Sequence, residues 1–391
     1  MTPRWWAAML AVALIGTGAS AQRWQSAWIA PPIGWEPASR KALTKPIERQ
    51  TVAQVIRLDG EGARLRVRLT NELGMTPVEV GAASVALGGR LVSLSFGGAK
   101  GATIPAGAPL VSDPVALRAT PGAELVLRVY YPGSVTPPAH AQMVRLTAGD
   151  TTASPADAGE EVRTAGLASA VEVDVAAPGK LLVAFGDSIT EGAGASAAAR
   201  TSWPAQLGAL LHGAAATRCW SVVNAGISGN RLLHDGRGPN ALARFDRDVL
   251  AVPGATHVVL LEGINDIGAG KDKPAEAVDA DAVIGAYRQL IARAHGAGLR
   301  VIGGTLLPFT GAGYQTAAGE AMRLAINRWI RTSGAFDRVI DFEAATRDPA
   351  HPERLMAGYE IGDHLHPNDA GYTAMAKAAR PVIAAEGCGR R

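Results

Sequence analysis

Cysteine is almost missing from this chain: two residues, Cys219 and Cys388, in 391. With so few, no cysteine spacing of the zinc type can form, and the histidines show none either. A surplus of one charge is also missing. The 38 basic and 35 acidic residues leave only +3, no stripe of lysine and arginine is visible, and nucleic-acid binding loses its usual electrostatic footprint. No Gly-Lys-Ser or Gly-Lys-Thr follows a glycine-rich turn, which removes the phosphate-loop reading. Residues 23 to about 175 contain no convincing amphipathic helix. The longest early apolar stretch, Trp5 to Ile15, falls short of the roughly 20 residues a membrane span requires. The mature protein is therefore expected to have no membrane span.

What is present describes a globular protein, 48% hydrophobic and 19% charged. The length suits two domains of roughly 150 to 200 residues each. Arg4, the apolar Trp5 to Ile15 and the small-residue site Ala19-Ser-Ala21 have the form of a cleavable export signal, residues 1–21. The expected location is the periplasm or the medium. No cysteine follows that site, which argues against a lipid anchor. In such a compartment Cys219 and Cys388 are expected to pair, although spacing cannot show connectivity and two separate apolar side chains are the alternative.

Residues 22–175 read as an accessory β-sandwich, jelly-roll-like. Arg64-Leu-Arg-Val-Arg-Leu69 alternates strictly, which buries Leu65, Val67 and Leu69 and leaves the arginines in water. Similar runs are Val78–Leu87, Leu91–Phe96 and Glu124–Tyr131, separated by turns such as Gly88-Gly89 and Pro132-Gly133. Many short strands at this spacing argue for a sandwich. Thr151–Glu160 reads as an exposed loop or the start of a linker.

Residues 176–391 change pattern. Apolar runs at Leu181–Phe185, Trp220–Asn224, His257–Glu262, Arg300–Leu307 and Arg338–Phe342 alternate with helical periods, clearest at Ala282–His295 and Gly319–Thr332. A last helix from Asp369 to about Ala385 has Asn368 as its cap. This pattern predicts a three-layer, doubly wound parallel sheet, whose functional loops gather at the carboxyl ends of its strands.

Four segments carry chemistry. Leu181-Leu-Val-Ala-Phe-Gly-Asp-Ser-Ile-Thr190 is a buried strand opening through a glycine turn onto Ser188, a way to present a nucleophile. Asp363-His-Leu-His-Pro367 places a carboxylate three residues before His366, a base with its orienting acid on one loop. His364 competes, but it adjoins Asp363, where reaching the same carboxylate in a relaxed geometry is harder. Gly226-Ile-Ser-Gly-Asn230 and Glu262-Gly-Ile-Asn-Asp266 supply donors for an oxyanion: the amides of Ser188 and Gly229 and the side chain of Asn265. Gly226 reads as a tight turn, and Asn265 could equally serve as a loop cap. Asn230, Arg231, Phe309 and Tyr314 fall on loops expected near the site and are candidate substrate contacts. Asp246 and Asp248 read as salt-paired helix residues.

These four blocks, in this order, resemble the SGNH (GDSL) hydrolase superfamily. The resemblance covers about residues 180 to 385 and assigns its four named residues to Ser188, Gly229, Asn265 and His366, with Asp363 completing a triad. Gly263-Ile-Asn-Asp stands where Gly-Gly-Asn-Asp is frequent, which leaves the asparagine in position. It implies a flavodoxin-like fold and an exported serine esterase needing no metal or other cofactor. The preceding sandwich is similar to that of two-domain members, and O-acetyl groups on a carbohydrate become the preferred substrate. Two readings of other classes use the same residues: an acyltransferase, and a glycan-binding protein with a disused site. A metal held by Asp363, His364 and His366 is a further alternative. The oligomeric state has no sequence signal.

Overall fold

The computed structural model describes residues 23–34, 47–135, 140–154, 159–177 and 179–388; the expected export signal, residues 1–21, lies outside them. The first part of the chain forms short strands: β1 (Trp24–Ile29), β2 (Ile47–Arg57), β3 (Leu65–Thr70), β4 (Val78–Val80), β5 (Ala82–Leu87), β6 (Arg90–Ser93), β7 (Ala102–Ile104), β8 (Pro109–Val111), β9 (Glu124–Val135), β10 (Ala141–Ala148), β11 (Glu160–Ala165) and β12 (Ala168–Asp174). They build two antiparallel sheets, ordered β1-β12-β3-β8 and β11-β10-β2-β9-β5-β6, with β4 and β7 as a separate pair.

Alternation decides what each face holds. Leu65, Val67 and Leu69 join Val171 and Val173 in a core shared with Val52, Ile56, Leu125 and Leu127 of the other sheet. The arginines between them are not simply solvated. Arg64 pairs with Asp174 at 2.5 Å, Arg66 with Glu172 at 2.6 Å and Arg68 with Glu72 at 2.9 Å. The expected single run Val78–Leu87 is broken at Gly81, where a Cβ would lie 2.9 Å from the Tyr130 ring. Of the segment Thr151–Glu160, expected as a loop or linker, residues 155–158 lie outside the described residues and Glu160 opens β11, which pairs antiparallel with β10 in the same sheet.

The second part carries five parallel strands, β13 (Lys180–Gly186), β14 (Trp220–Gly226), β15 (Ala255–Leu261), β16 (Arg300–Gly304) and β17 (Arg338–Ile340), in the order β14-β13-β15-β16-β17. Their near-continuous apolar character follows from burial on both faces. The helices are α1 (Ser188–Glu191), α2 (Ala198–Thr201), α3 (Trp203–His212), α4 (Ala241–Phe245), α5 (Ile264–Asp272), α6 (Ala280–Gly296), α7 (Ala317–Thr332), α8 (Phe342–Thr346) and α9 (Asp369–Ala384). α3 packs on β14 and α9, while α6 packs on β16 and α7. This is the doubly wound flavodoxin-like order: the direction in which successive strands are added reverses after β14, which leaves a crevice at the carboxyl ends of β13 and β15. β16 ends at Gly304, earlier than the apolar run, because the Asn327 side chain takes over the Leu306 backbone, accepting its N–H at 2.7 Å and donating to its carbonyl at 2.8 Å.

The two parts are in direct contact. β1 lies against β14, Ser26 N–H donates to the Pro253 carbonyl at 2.9 Å, and Ile29 and Ala170 sit in the core of the parallel sheet. The Asp59 carboxylate accepts the Val222 N–H at 2.6 Å and meets His212 Nε2 at 2.8 Å.

Cys219, just before β14, is bonded to Cys388, beyond α9, across 169 positions. Closing a loop of that length restricts the unfolded chain by about 5 kcal/mol on the chain-entropy model. The double Cys→Ser variant is therefore expected to unfold at clearly lower urea concentration with an unchanged native far-ultraviolet spectrum. Peptide mapping of the non-reduced protein should recover both cysteines in one linked peptide; two freely alkylated thiols would remove the bridge.

Candidate active site

At the end of β13 the chain has no room for a side chain. A Cβ on Gly186 would sit 2.2 Å from the Leu261 carbonyl and 2.4 Å from Thr190 Oγ1, so glycine lets the strand turn directly into α1. Asp187 caps that single helical turn, its Oδ1 accepting the Ile189 N–H at 2.9 Å, and Gly192 ends it at φ +105°. Ser188 is thus the first helical residue, 5% exposed. Burial pushes the Asp187 carboxyl up to about 7, helped by the Asp266 charge and opposed by the Ile189 N–H and by Arg244.

Ser188 Oγ meets His366 Nε2 at 2.9 Å, and His366 Nδ1 meets Asp363 Oδ2 at 2.6 Å. The other Asp363 oxygen accepts the N–H groups of Leu365 at 3.0 Å and His366 at 2.9 Å. Burial works against ionisation of Asp363, yet these N–H groups and His366 hold its carboxyl below the ordinary range. The tight loop requires His364 at φ +59°. Its exposed ring points elsewhere, 3.5 Å from Glu360 and against Gly311, where a Cβ would lie 2.8 Å from it. Asn368 then caps α9 by accepting the Ala370 and Gly371 N–H groups.

The oxyanion candidates converge from two other strand ends. After β14, the Asn230 N–H closes a turn onto the Ile227 carbonyl at 3.0 Å. Gly229 occupies its third position at φ +76°, the left-handed conformation such a turn needs. Gly226, expected in a tight turn, is instead the last residue of β14, where the constraint is space: a Cβ there would lie 2.2 Å from the Glu191 nitrogen. Asn265, on the first turn of α5, is half-buried and donates from Nδ2 to the Asn230 carbonyl at 3.0 Å. The amide nitrogen carries two protons, so one is left for a ligand.

A buried arginine that sequence reading missed ties these pieces together. Arg244 donates to the Gly186 carbonyl and the Ala225 carbonyl at 2.9 Å each and to Asn230 Oδ1 at 2.8 Å, while its guanidinium lies 3.9 Å over the Phe185 ring. Asp248 stands 3.3 Å from it and Glu262 3.7 Å. One side chain thereby fixes the ends of β13 and β14 and the turn carrying Gly229. The i,i+4 pair Arg244 and Asp248 was its one visible trace. Asp246 pairs with Arg293 at 2.6 Å, so both aspartates are salt-paired as expected.

Three of the expected substrate contacts have other work. Asn230 is 1% exposed and spends its side chain on Arg244 and on the Arg237 and Pro239 carbonyls. Arg231, 5% exposed, binds Glu276 and the Asp235 carbonyl at 2.5 Å each. Phe309 is wholly buried in the core. Each lies on a loop near the site, but its side chain is turned inward to hold that loop. The fourth, Tyr314, is partly buried, with its hydroxyl 3.5 Å from Asn265 Oδ1. Among the described residues no group of three histidines, cysteines or carboxylates could hold a metal ion, and no helix is long and apolar enough to cross a membrane.

A parallel sheet in this order, with a serine, a histidine and a carboxylate in relay at the carboxyl ends of its strands, defines an α/β protein of the hydrolase type. Residues 184–374 match the model of the GDSL-like Lipase/Acylhydrolase family, and this part of the chain belongs to that family. Solved structures similar to the chain include Axe2, an acetylxylan esterase from Geobacillus stearothermophilus, 25% identical over 52% of this chain and 94% of that one, with a TM-score of 0.42. Another is LAE5, an α/β hydrolase from the metagenome of Lake Arreo, 24% identical over 54% and 96%, with a TM-score of 0.41. A third is a GDSL-like lipase from Bacteroides thetaiotaomicron, 18% identical over 53% and 88%, with a TM-score of 0.39. No curated protein matches.

Proposed function

We propose that the protein is an exported serine esterase that hydrolyses carboxylic esters through an acyl-enzyme on Ser188. The observation that carries this reading is the unbroken relay Ser188 Oγ to His366 Nε2 at 2.9 Å and His366 Nδ1 to Asp363 at 2.6 Å. As Ser188 Oγ attacks the ester carbonyl, its proton passes to His366 Nε2 and Asp363 stabilises the imidazolium. His366 returns that proton to the departing alcohol oxygen, leaving the acyl group on Ser188. A water, deprotonated by the same nitrogen, then releases the acid and restores the serine. The negative oxygen of each tetrahedral intermediate is met by the Ser188 and Gly229 amides, neither of which has an acceptor among the described residues, and by Asn265 Nδ2. The reaction uses no group beyond these side chains and amides.

The preferred ester is an O-acetyl group on a carbohydrate. In support, a cleft of ≈ 530 Å³ runs between the outer face of the six-stranded sheet and α2 and reaches Glu191 at the end of the serine helix. Val55 and Met143 stand exposed along it, beside Arg57, Arg145 and Arg163. Alternating apolar and polar contacts of this kind suit a sugar chain. On this proposal residues 22–175 hold the polymer and residues 176–391 cut the ester. Export is supported by the form of residues 1–21 and by the Cys219–Cys388 bridge, which belongs in an oxidising compartment. Assaying the mature protein on acetylated polysaccharides and on short-chain activated esters tests both levels. Turnover of neither would refute the esterase; turnover of small esters alone would remove the glycan.

Asn265→Ala is expected to lower kcat by roughly 10² to 10³, the usual loss for one oxyanion donor, with a smaller change in KM. A pure KM effect would instead make Asn265 a substrate-binding residue.

A further inference from the structure

Glu191 ends the one-turn helix that Ser188 begins, and its carboxylate is turned away from the relay. One of its oxygens accepts the Ser228 N–H, and the other lies 3.2 Å from His140 Nε2 and 3.8 Å from Arg163. Ser228 is the second residue of the turn Ile227–Asn230, and its peptide carries the Gly229 N–H. Where Ser228 is pinned bears on where that N–H points: the bonds that close the turn hold its two ends, Ile227 and Asn230, and Glu191 holds the residue between them that precedes Gly229.

His140 comes from the β-rich part, immediately before β10, and is 9% exposed. Its Nδ1 lies 3.1 Å from the Pro31 carbonyl, beyond β1. A carbonyl oxygen can only accept, and so can an ionised carboxylate. The two ring nitrogens thus face one acceptor in each part of the protein, and His140 is seated between them. Burial alone would push the Glu191 carboxyl up; the charge and hydrogen bond of His140 and the Ser228 N–H hold it down at about 2 instead. Without His140, a buried carboxylate would keep the Ser228 N–H and a distant Arg163, and would gain by turning toward water.

We infer that His140 and Glu191 are positioning residues, a chain of contacts through which the β-rich part of the protein sets the Gly229 donor of the oxyanion turn. The inference rests on the esterase reading of Ser188. It makes the β-rich part necessary to the chemistry even on an ester too small to touch the cleft. It also makes the two residues one unit, since His140 acts only through Glu191.

The test is steady-state kinetics of the whole mature chain on a short activated ester, with folding checked by circular dichroism. Glu191→Ala is expected to lower kcat by about 10 to 10², the scale of a misplaced donor, with KM changed by less than about two-fold. His140→Ala should lower kcat in the same way, and the double variant should lose no more than Glu191→Ala alone. Glu191→Gln keeps an oxygen for Ser228 and should recover most of the rate, and it serves where the alanine variant does not fold. A wild-type kcat in folded His140→Ala or Glu191→Ala, a Glu191→Gln rate no better than that of His140→Ala, or losses that multiply in the double variant, would overturn the inference while Ser188→Ala stays inactive. Ester turnover that survives Ser188→Ala would remove the esterase reading and this one with it.

Discussion

Ser188→Ala is expected to reduce kcat by on the order of 10⁶ on any ester the wild-type protein cleaves, the loss seen when the nucleophile of such a relay is removed. Covalent labelling by a serine-directed phosphonate should vanish in parallel, because the probe reports an activated hydroxyl rather than a binding pocket. The fold should not respond. The hydroxyl makes no cap for α1, since that bond belongs to Asp187, and His366 remains held by Asp363 through its ring and its own N–H. Thermal unfolding should therefore match the wild type. Labelling that persists at another serine, or activity that survives, would move the nucleophile elsewhere and end the proposed mechanism.

The parallel sheet was legible because its strands are buried on both faces and therefore read as unbroken apolar runs. Ser188 was legible for a related reason: Leu181–Phe185 ends in a glycine that Leu261 and Thr190 leave no room to replace. Asn368 announced the start of α9 by its chemistry as a cap. What the sequence concealed is the direction of side chains on loops. Asn230, Arg231 and Phe309 sit near the site in chain order, but nothing in order or composition tells whether a loop residue points to substrate or holds the loop. Arg244 was hidden in the opposite way. On a charged helical stretch it reads as a solvated cation, and only the convergence of two strand ends and the Asn230 side chain on one guanidinium gives it partners that repay its burial. The joint between the two parts was equally invisible, because Asp59 meets Val222 across 163 positions and His140 meets Glu191 across 51. Such pairs leave no periodicity to read.

Asp363→Asn should cost about 10⁴ in kcat although it changes no volume and leaves the loop intact, the loss that accompanies a wrong histidine tautomer. The structure shows why the conservative replacement is the damaging one. Asp363 Oδ1 accepts the Leu365 and His366 N–H groups, and the single oxygen of asparagine must stay there to keep both bonds. Its NH₂ then faces His366 Nδ1, in the place of the Oδ2 that now lies 2.6 Å away. Two donors cannot face each other, so Nδ1 gives up its proton and becomes the acceptor. The remaining ring proton moves to Nε2, 2.9 Å from Ser188 Oγ, where an unprotonated nitrogen is needed to take the serine proton. The asparagine variant should thus fold normally, bind a substrate analogue with near wild-type affinity, and fail in acylation. Asp363→Ala removes the hold on the loop as well as the charge, so asparagine is the variant that separates the two roles. A kcat for Asp363→Asn within about ten-fold of wild type would show that Asp363 serves only to shape the loop, and the relay would have to be read as Ser188 and His366 alone.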